Sequence, residues 1–239
     1  MSLPVITAPI FELTLPSTGK KYSYRPFLVK EEKILLIALE GGDQNEIVNS
    51  IKEIIKVCVT GINVAEISTF DLEFIFLKLR EKSIGDVITL YVRHINGTNS
   101  NGEPCDNTQE ISINLGDVAI IKNDKNNKKI QLNDSIGVVM KYPSVDLINE
   151  LGEFNSTNAF EVIERCIDYI YDGDTVYSLK DYKPEEISAF VDGLSHAQLE
   201  KIEEFFNTLP KISHTAKWKC NKCGTEETLV LEGLNDFFS

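Results

Sequence analysis

Two cysteines stand three residues apart in Cys220-Asn221-Lys222-Cys223-Gly224. A tight turn there brings two thiolates together and the following glycine eases the backbone, which is the shape of a zinc knuckle supplying two of four tetrahedral ligands. A reduced cysteine pair at a hairpin tip has the same short sequence, so the remaining ligands have to come from elsewhere in the chain. An earlier hairpin resembles the later one when the two are laid side by side. Tyr91-Val92-Arg93-His94 stands against Lys217-Trp218-Lys219-Cys220, Cys105 against Cys223, and Ile111 and Ile113 against Leu229 and Leu231. With one inserted residue, Leu115-Gly116-Asp117-Val118 then matches Leu234-Asn235-Asp236-Phe237. If the hairpins pair face to face, His94, Cys105, Cys220 and Cys223 give a four-ligand zinc site of the zinc-ribbon kind. His94 and Cys105 flank an insertion rich in Asn and Gly, not a tight knuckle.

Other reactive side chains read as structural. Cys58 falls on an apolar helical stripe and Cys166 on the apolar side of another helix, where a thiol behaves as a small hydrophobe. The chain has no G-x-S-x-G, no P-loop, no G-x-G-x-x-G after a strand and no H-E-x-x-H, and its three histidines are scattered. His196, just inside a helix start, reads as a surface residue. Asp168, Asp172 and Asp174 lack the EF-hand pattern and its terminal Glu, so they read as an acidic helix end with an Asp-Gly turn. The expectation is a protein that is not an enzyme.

The elements that must position the four ligands follow from periodicity. Residues 10–26 alternate apolar and polar around Pro16-Ser17-Thr18-Gly19, a hairpin. A helix begins near Val29 and stops at Gly41-Gly42. Asp43 caps a second, with Ile47, Ile51, Ile54, Ile55 and Cys58 on one face, and a third runs from about Glu66 to Lys82. From Val87 the period switches to alternation through His94, and Glu110–Leu115 returns to close a hairpin across a long solvated connection. The polar turn 123–129 and the run Gly137–Pro143 complete a β-rich stretch. The remainder is mostly helical: about Asp146 to Leu151, about Thr157 to Tyr171, then a pair starting at Pro184 and Ser195 and ended by Pro210. Strands return at Lys211–Cys220 and Thr228–Glu232. The expected fold is α+β: a mainly helical body with peripheral β-hairpins, two of them zinc-ribbon-like. Its segments are 1–86 (hairpin plus helices), 87–142 (β-rich, with the first ribbon), 143–210 (helical) and 211–239 (second ribbon and apolar tail), together one compact unit.

The last apolar cluster, Leu234, Phe237 and Phe238, must dock on the body or bind a partner, since apolar side chains are costly to leave wet. Leu234, Phe237 and Phe238 are therefore candidate partner-binding residues.

Composition narrows the setting. The 239 residues carry 37 Asp plus Glu against 24 Lys plus Arg, a formal charge of -13. A duplex is bound by basic faces that release counterions, so nucleic acid is a poor partner for such a chain. Lys211, Lys217, Lys219 and Lys222 make a local basic spot around the knuckle, which leaves a zinc-ribbon nucleic-acid-binding regulator as a remote alternative. Five cysteines are too few and too irregular for a disulfide scaffold, pointing to a reducing cytoplasm. The start Met1–Pro9 lacks a basic n-region, and no apolar run approaches the roughly 20 residues of a membrane span. Neither export nor a membrane partner is expected.

Several strings in order along the chain resemble the baseplate hub assembly proteins of T-even-type contractile-tailed bacteriophages. They are Arg25–Lys33 (RPFLVKEEK), Phe70–Arg80 (FDLEFIFLKLR), Gly137–Pro143 (GVVMKYP), Cys166-Ile167-Asp168 leading to Tyr171-Asp172-Gly173-Asp174, and Leu234-Asn235-Asp236-Phe237-Phe238. The resemblance implies a late viral protein that assembles the tail baseplate hub in the host cytoplasm. By analogy it implies a chaperone holding a hub protein or the tape-measure protein; the alternative is a structural subunit retained in the virion tail baseplate. Cys220 and Cys223 do not define that family, so zinc is not implied by it.

Overall fold

The structure is a computed structural model, and it describes residues 7–94, 98, 102, 104–152, 154–233 and 235–237. The alternating residues on either side of Pro16 and Gly19 form the expected hairpin, β1 (Phe11–Thr14) antiparallel to β2 (Lys21–Tyr24), with Phe11 opposite Tyr24. Helix α1 (Val29–Gly41) starts on a buried carboxylate. Glu31 accepts hydrogen bonds from the Leu28 backbone N–H at 2.7 Å and from the Arg25 guanidinium at 2.9 Å. Asp43 Oδ1 accepts from the N–H groups of Asn45 and Glu46 and so caps α2 (Gln44–Cys58). Ile51, Ile54, Ile55 and Cys58 form the buried stripe that their spacing predicts. Helix α3 (Thr69–Ser83) begins at Thr69 instead of near Glu66 and buries Leu72, Ile75, Phe76 and Leu79.

Strands β3 (Val87–His94) and β4 (Asn107–Asn114) then pair antiparallel along their whole length, from Val87 opposite Asn114 to His94 opposite Asn107. After β5 (Ala119–Ile121) the chain makes an excursion. It runs through β6 (Lys129–Gln131), β7 (Ile136–Met140), α4 (Val145–Leu151), α5 (Ala159–Cys166), β8 (Ile167–Asp172), β9 (Thr175–Ser178), α6 (Pro184–Asp192) and α7 (His196–Asn207). It returns as β10 (Lys211–Lys219) and β11 (Glu226–Glu232). Lys211 pairs with Ile121, so the excursion leaves and re-enters at neighbouring residues of one ladder. The described residues thus hold seven α-helices and small antiparallel sheets, and none of the helices is long and apolar enough to cross a membrane.

Where the four consecutive segments suggested one compact unit, the chain divides into two. The first comprises residues up to Asn63, Phe70–Ile121 and Lys211 onward; the second comprises Val64–Thr69 and Lys122–Pro210. In the first, Leu77 of α3 packs with Ile88 and Leu90 of β3, Ile113 of β4, Ile212 of β10 and Leu231 of β11. In the second, a four-stranded sheet in the order β6-β7-β8-β9 carries Val138, Met140 and Ile167 against Val162 and Ile163 of α5 and Ile202 and Phe205 of α7. That sheet corrects two expectations. It is no peripheral hairpin, because its inner face builds the core of its unit. The helix expected from about Thr157 to Tyr171 ends at Cys166, and Ile167–Asp172 is a strand whose alternating Ile and Tyr residues pair with β7 on one side and β9 on the other. The acidic helix end read at Asp172-Gly173-Asp174 is therefore the turn between β8 and β9.

Two consequences are measurable. Burial pushes the Glu31 carboxyl up, but the bonds from Arg25, the Leu28 N–H and Lys30 outweigh it and hold it below the ordinary carboxylate range. A depressed folded value adds stability that is complete above the unfolded pKa of about 4.3 and is lost as pH falls through the folded one. Acid unfolding curves of Glu31→Gln should accordingly be flatter below about pH 4.3 than those of the native chain. In β7, a Cβ on Gly137 would collide with the Tyr171 phenol and lie 2.6 Å from the Ile130 carbonyl oxygen. Gly137→Ala should lower the urea-unfolding stability by about 1–3 kcal/mol, the usual cost of overpacking.

Candidate metal centre

In β3 the even positions point inward: Ile88, Leu90, Val92 and, last, His94 are buried while their neighbours are exposed. In β4 the inward row is Asn107, Gln109, Ile111 and Ile113. The second hairpin repeats the arrangement, with Ala216 and Trp218 of β10 leading to Cys220, and Glu227, Leu229 and Leu231 of β11 on the same side. A strand turns its side chains with period two. The alternation that buries Ile88 and Leu231 at the base of the hairpins therefore aims His94 and Cys220 inward at the tips.

The knuckle is held by its own backbone. Cys220 N–H donates to the Thr225 carbonyl and Gly224 N–H donates to the Cys220 carbonyl, both at 2.9 Å. Gly224 has φ +76°, a left-handed conformation that a side chain rarely adopts. The other hairpin clamps this turn through two amides. Gln109 donates to the Lys219 carbonyl at 3.0 Å and accepts from the Asn221 N–H at 2.8 Å. Asn107 donates to Asn221 Oδ1 at 2.7 Å and lies 3.5 Å from Cys220 Sγ.

The two tips bring together the four residues that the sequence singles out. The ligand atoms of His94, Cys105, Cys220 and Cys223 all lie within 4.8 Å of one another, and all but Cys223 are fully buried. Cys105 Sγ is 3.9 Å from Cys220 Sγ, and Cys223 Sγ is 3.5 Å from His94 Nδ1. A tetrahedral ion with metal–sulfur bonds of about 2.3 Å and metal–nitrogen bonds of about 2.0–2.1 Å spaces its sulfurs by about 3.8 Å and a sulfur and nitrogen by about 3.5 Å. The cluster could hold a metal ion at those spacings. With an ion bound, the four protein ligands would fill a tetrahedral shell, the arrangement of a cross-link between hairpins.

Burial pushes the Cys220 thiol up, but the backbone N–H groups of Cys223 and Lys222 and the side chains of Cys223 and Asn107 outweigh it and bring it down to about 6. Cys105 is pushed up to about 11 by burial and by its two cysteine neighbours. A divalent ion among the three cysteines would favour the thiolate form of each. Cys58 and Cys166 sit in apolar surroundings that push them up to about 11 and about 12, which fits their reading as core.

Four contributing residues were not legible in the sequence as parts of the site. Glu227 Oε1 is 3.1 Å from His94 Nε2, so a neutral His94 donates from Nε2 to the carboxylate and leaves the Nδ1 lone pair facing Cys223. Trp218 stands edge-on to the His94 ring at 5.9 Å. Asn107 and Gln109 form the clamp. The period-two row through Asn107, Gln109 and Ile111 is the signal that could have revealed the clamp. For Glu227 the signal was its place on the inward row below Leu229.

Phe237 lies outside this centre. It is 2% exposed and packs into the core of the first unit, so at Phe237 the chain docks on its own body. Leu234 and Phe238 lie outside the described residues.

A family model described as T4 bacteriophage base plate protein matches residues 8–239. No curated protein and no solved structure matches the chain.

Cys220→Ser removes one of the four ligands, and metal per chain measured by mass spectrometry should fall from about one ion to near zero. Glu227→Gln leaves all four ligands in place, yet competition against a chromophoric chelator should show metal affinity weakened about 10–100-fold.

Proposed function

Since the chain belongs to the T4 bacteriophage base plate protein family, we propose that it is a non-enzymatic assembly factor of the phage tail baseplate hub. In this reading it acts in the host cytoplasm as a chaperone, binding a hub protein or the tape-measure protein until the tail is built. The observation that carries the reading is the family match over residues 8–239, almost the entire chain. The formal charge of -13 supports it, because a strongly acidic body keeps a complex with an apolar partner soluble through mutual repulsion.

Zinc is the ion the candidate centre suits. Three thiolates and one imidazole in a closed tetrahedral set favour zinc over oxygen-seeking cations, and the reading is of a structural zinc joining two ribbon-like hairpins. His94, Cys105, Cys220 and Cys223 would hold it. The ion would fix the hairpin tips as a rigid end of the first unit, leaving recognition to the protein surface.

A second reading, equally compatible with the family match, is a structural subunit retained in the baseplate. Copy number separates the two. Co-expression with the hub and tape-measure proteins should yield a complex on pull-down, and quantitative mass spectrometry of purified virions should find the chain absent or far below one copy per hub subunit. A stoichiometric virion copy number would establish the retained subunit, and no complex with any of these proteins would reject the chaperone.

A further inference from the structure

The outward face of α1 is apolar where a solvated helix is polar. Glu31, Leu35 and Ala38 face inward, while Val29, Ile34, Leu36 and Ile37 are 65, 50, 51 and 70% exposed. Scattered exposed apolar residues need no account, but Val29, Leu36 and Ile37 fall within an arc of about 100° of one helix, an apolar patch of the kind that marks an interface, with Ile34 on its flank. At 100° per residue, Val29, Lys33, Leu36, Ile37 and Glu40 line the side opposite Leu35. Lys33 and Glu40 are both exposed and stand two turns apart, about 10 Å along the axis, too far to pair with each other.

We propose that this face is a two-fold interface with a second copy of the chain, in which α1 packs antiparallel on its counterpart with the axis between Leu36 and Ile37. The patch is self-complementary. In an isologous contact each patch meets itself reversed, so residue i meets j and j meets i. Positions 33 and 40 are equidistant from that axis, so Lys33 of one copy meets Glu40 of the other twice over, with Leu36 and Ile37 closing the centre. In a parallel arrangement like charges would meet instead: Lys33 would face Lys33 and Glu40 would face Glu40. The opposite charge at the mirrored position identifies a second copy as the occupant. One helix of 13 residues, about 20 Å long, offers less than the roughly 800 Å² per partner of a standard stable interface, so the dimer is weak and concentration-dependent. The inference is independent of the assembly role and of the metal.

The test is sedimentation equilibrium of the full chain over a range of concentrations, with melting curves to show that each variant is folded. The native chain should associate reversibly to a dimer and no further. Lys33→Glu and Glu40→Lys alone each place two like-charged pairs across the axis and should weaken association about tenfold or more. The double variant restores opposite charges with the sites exchanged and should return to within about threefold of the native constant. Ile37→Lys should abolish dimerisation. A native chain that stays monomeric at every concentration, a dimer indifferent to Ile37→Lys, or a double variant no better than the singles would overturn the proposal.

Discussion

Everything at the candidate centre depends on strand alternation carried through to the strand ends. The β3–β4 and β10–β11 hairpins share one inward row each, apolar at the base and leading at the tip to the histidine and cysteines that could hold a metal. Burial of Ile88, Leu90, Ile113 and Leu231 fixes which row faces in, because a slip by one residue would turn every side chain to the opposite face. The hydrophobic contacts thus decide where the candidate ligands point, and a metal held there would in turn tie down the ends that the hydrophobic contacts do not reach. Core and centre are two parts of one register.

That coupling explains which parts of the site could be read from the chain. Cys220 and Cys223 announce themselves by spacing, and His94 and Cys105 became legible only because the residues after them, Ile111 and Ile113, align with Leu229 and Leu231. Glu227, Asn107 and Gln109 escaped because polar residues on a strand carry no motif. Their roles depend on which partner stands opposite, and pairing between residues more than a hundred positions apart is not written in local sequence.

The fold was legible to a similar depth and failed at instructive points. The first hairpin, the stop at Gly41-Gly42, the Asp43 cap and the start of α6 at Pro184 follow from local chemistry and stand where expected. The strand β8 did not, because Ile163, Cys166, Ile167 and Ile170 continue a helical spacing with no glycine or proline between helix and strand. Only the neighbours β7 and β9 decide between the two periods there. The division into two units was hidden for a related reason. The pairing of Lys211 with Ile121 closes a long excursion into a separate unit, and nothing at either residue marks the closure.

With zinc bound as proposed, the hairpin tips of this member of the T4 base plate protein family would be the rigid landmark of the first unit. X-ray absorption at the zinc edge of the purified chain tests that claim most directly. Three sulfur neighbours at about 2.3 Å and one nitrogen at about 2.0–2.1 Å are the predicted shell. A shell of oxygen ligands, or protein that takes up no zinc under reducing conditions, would contradict it.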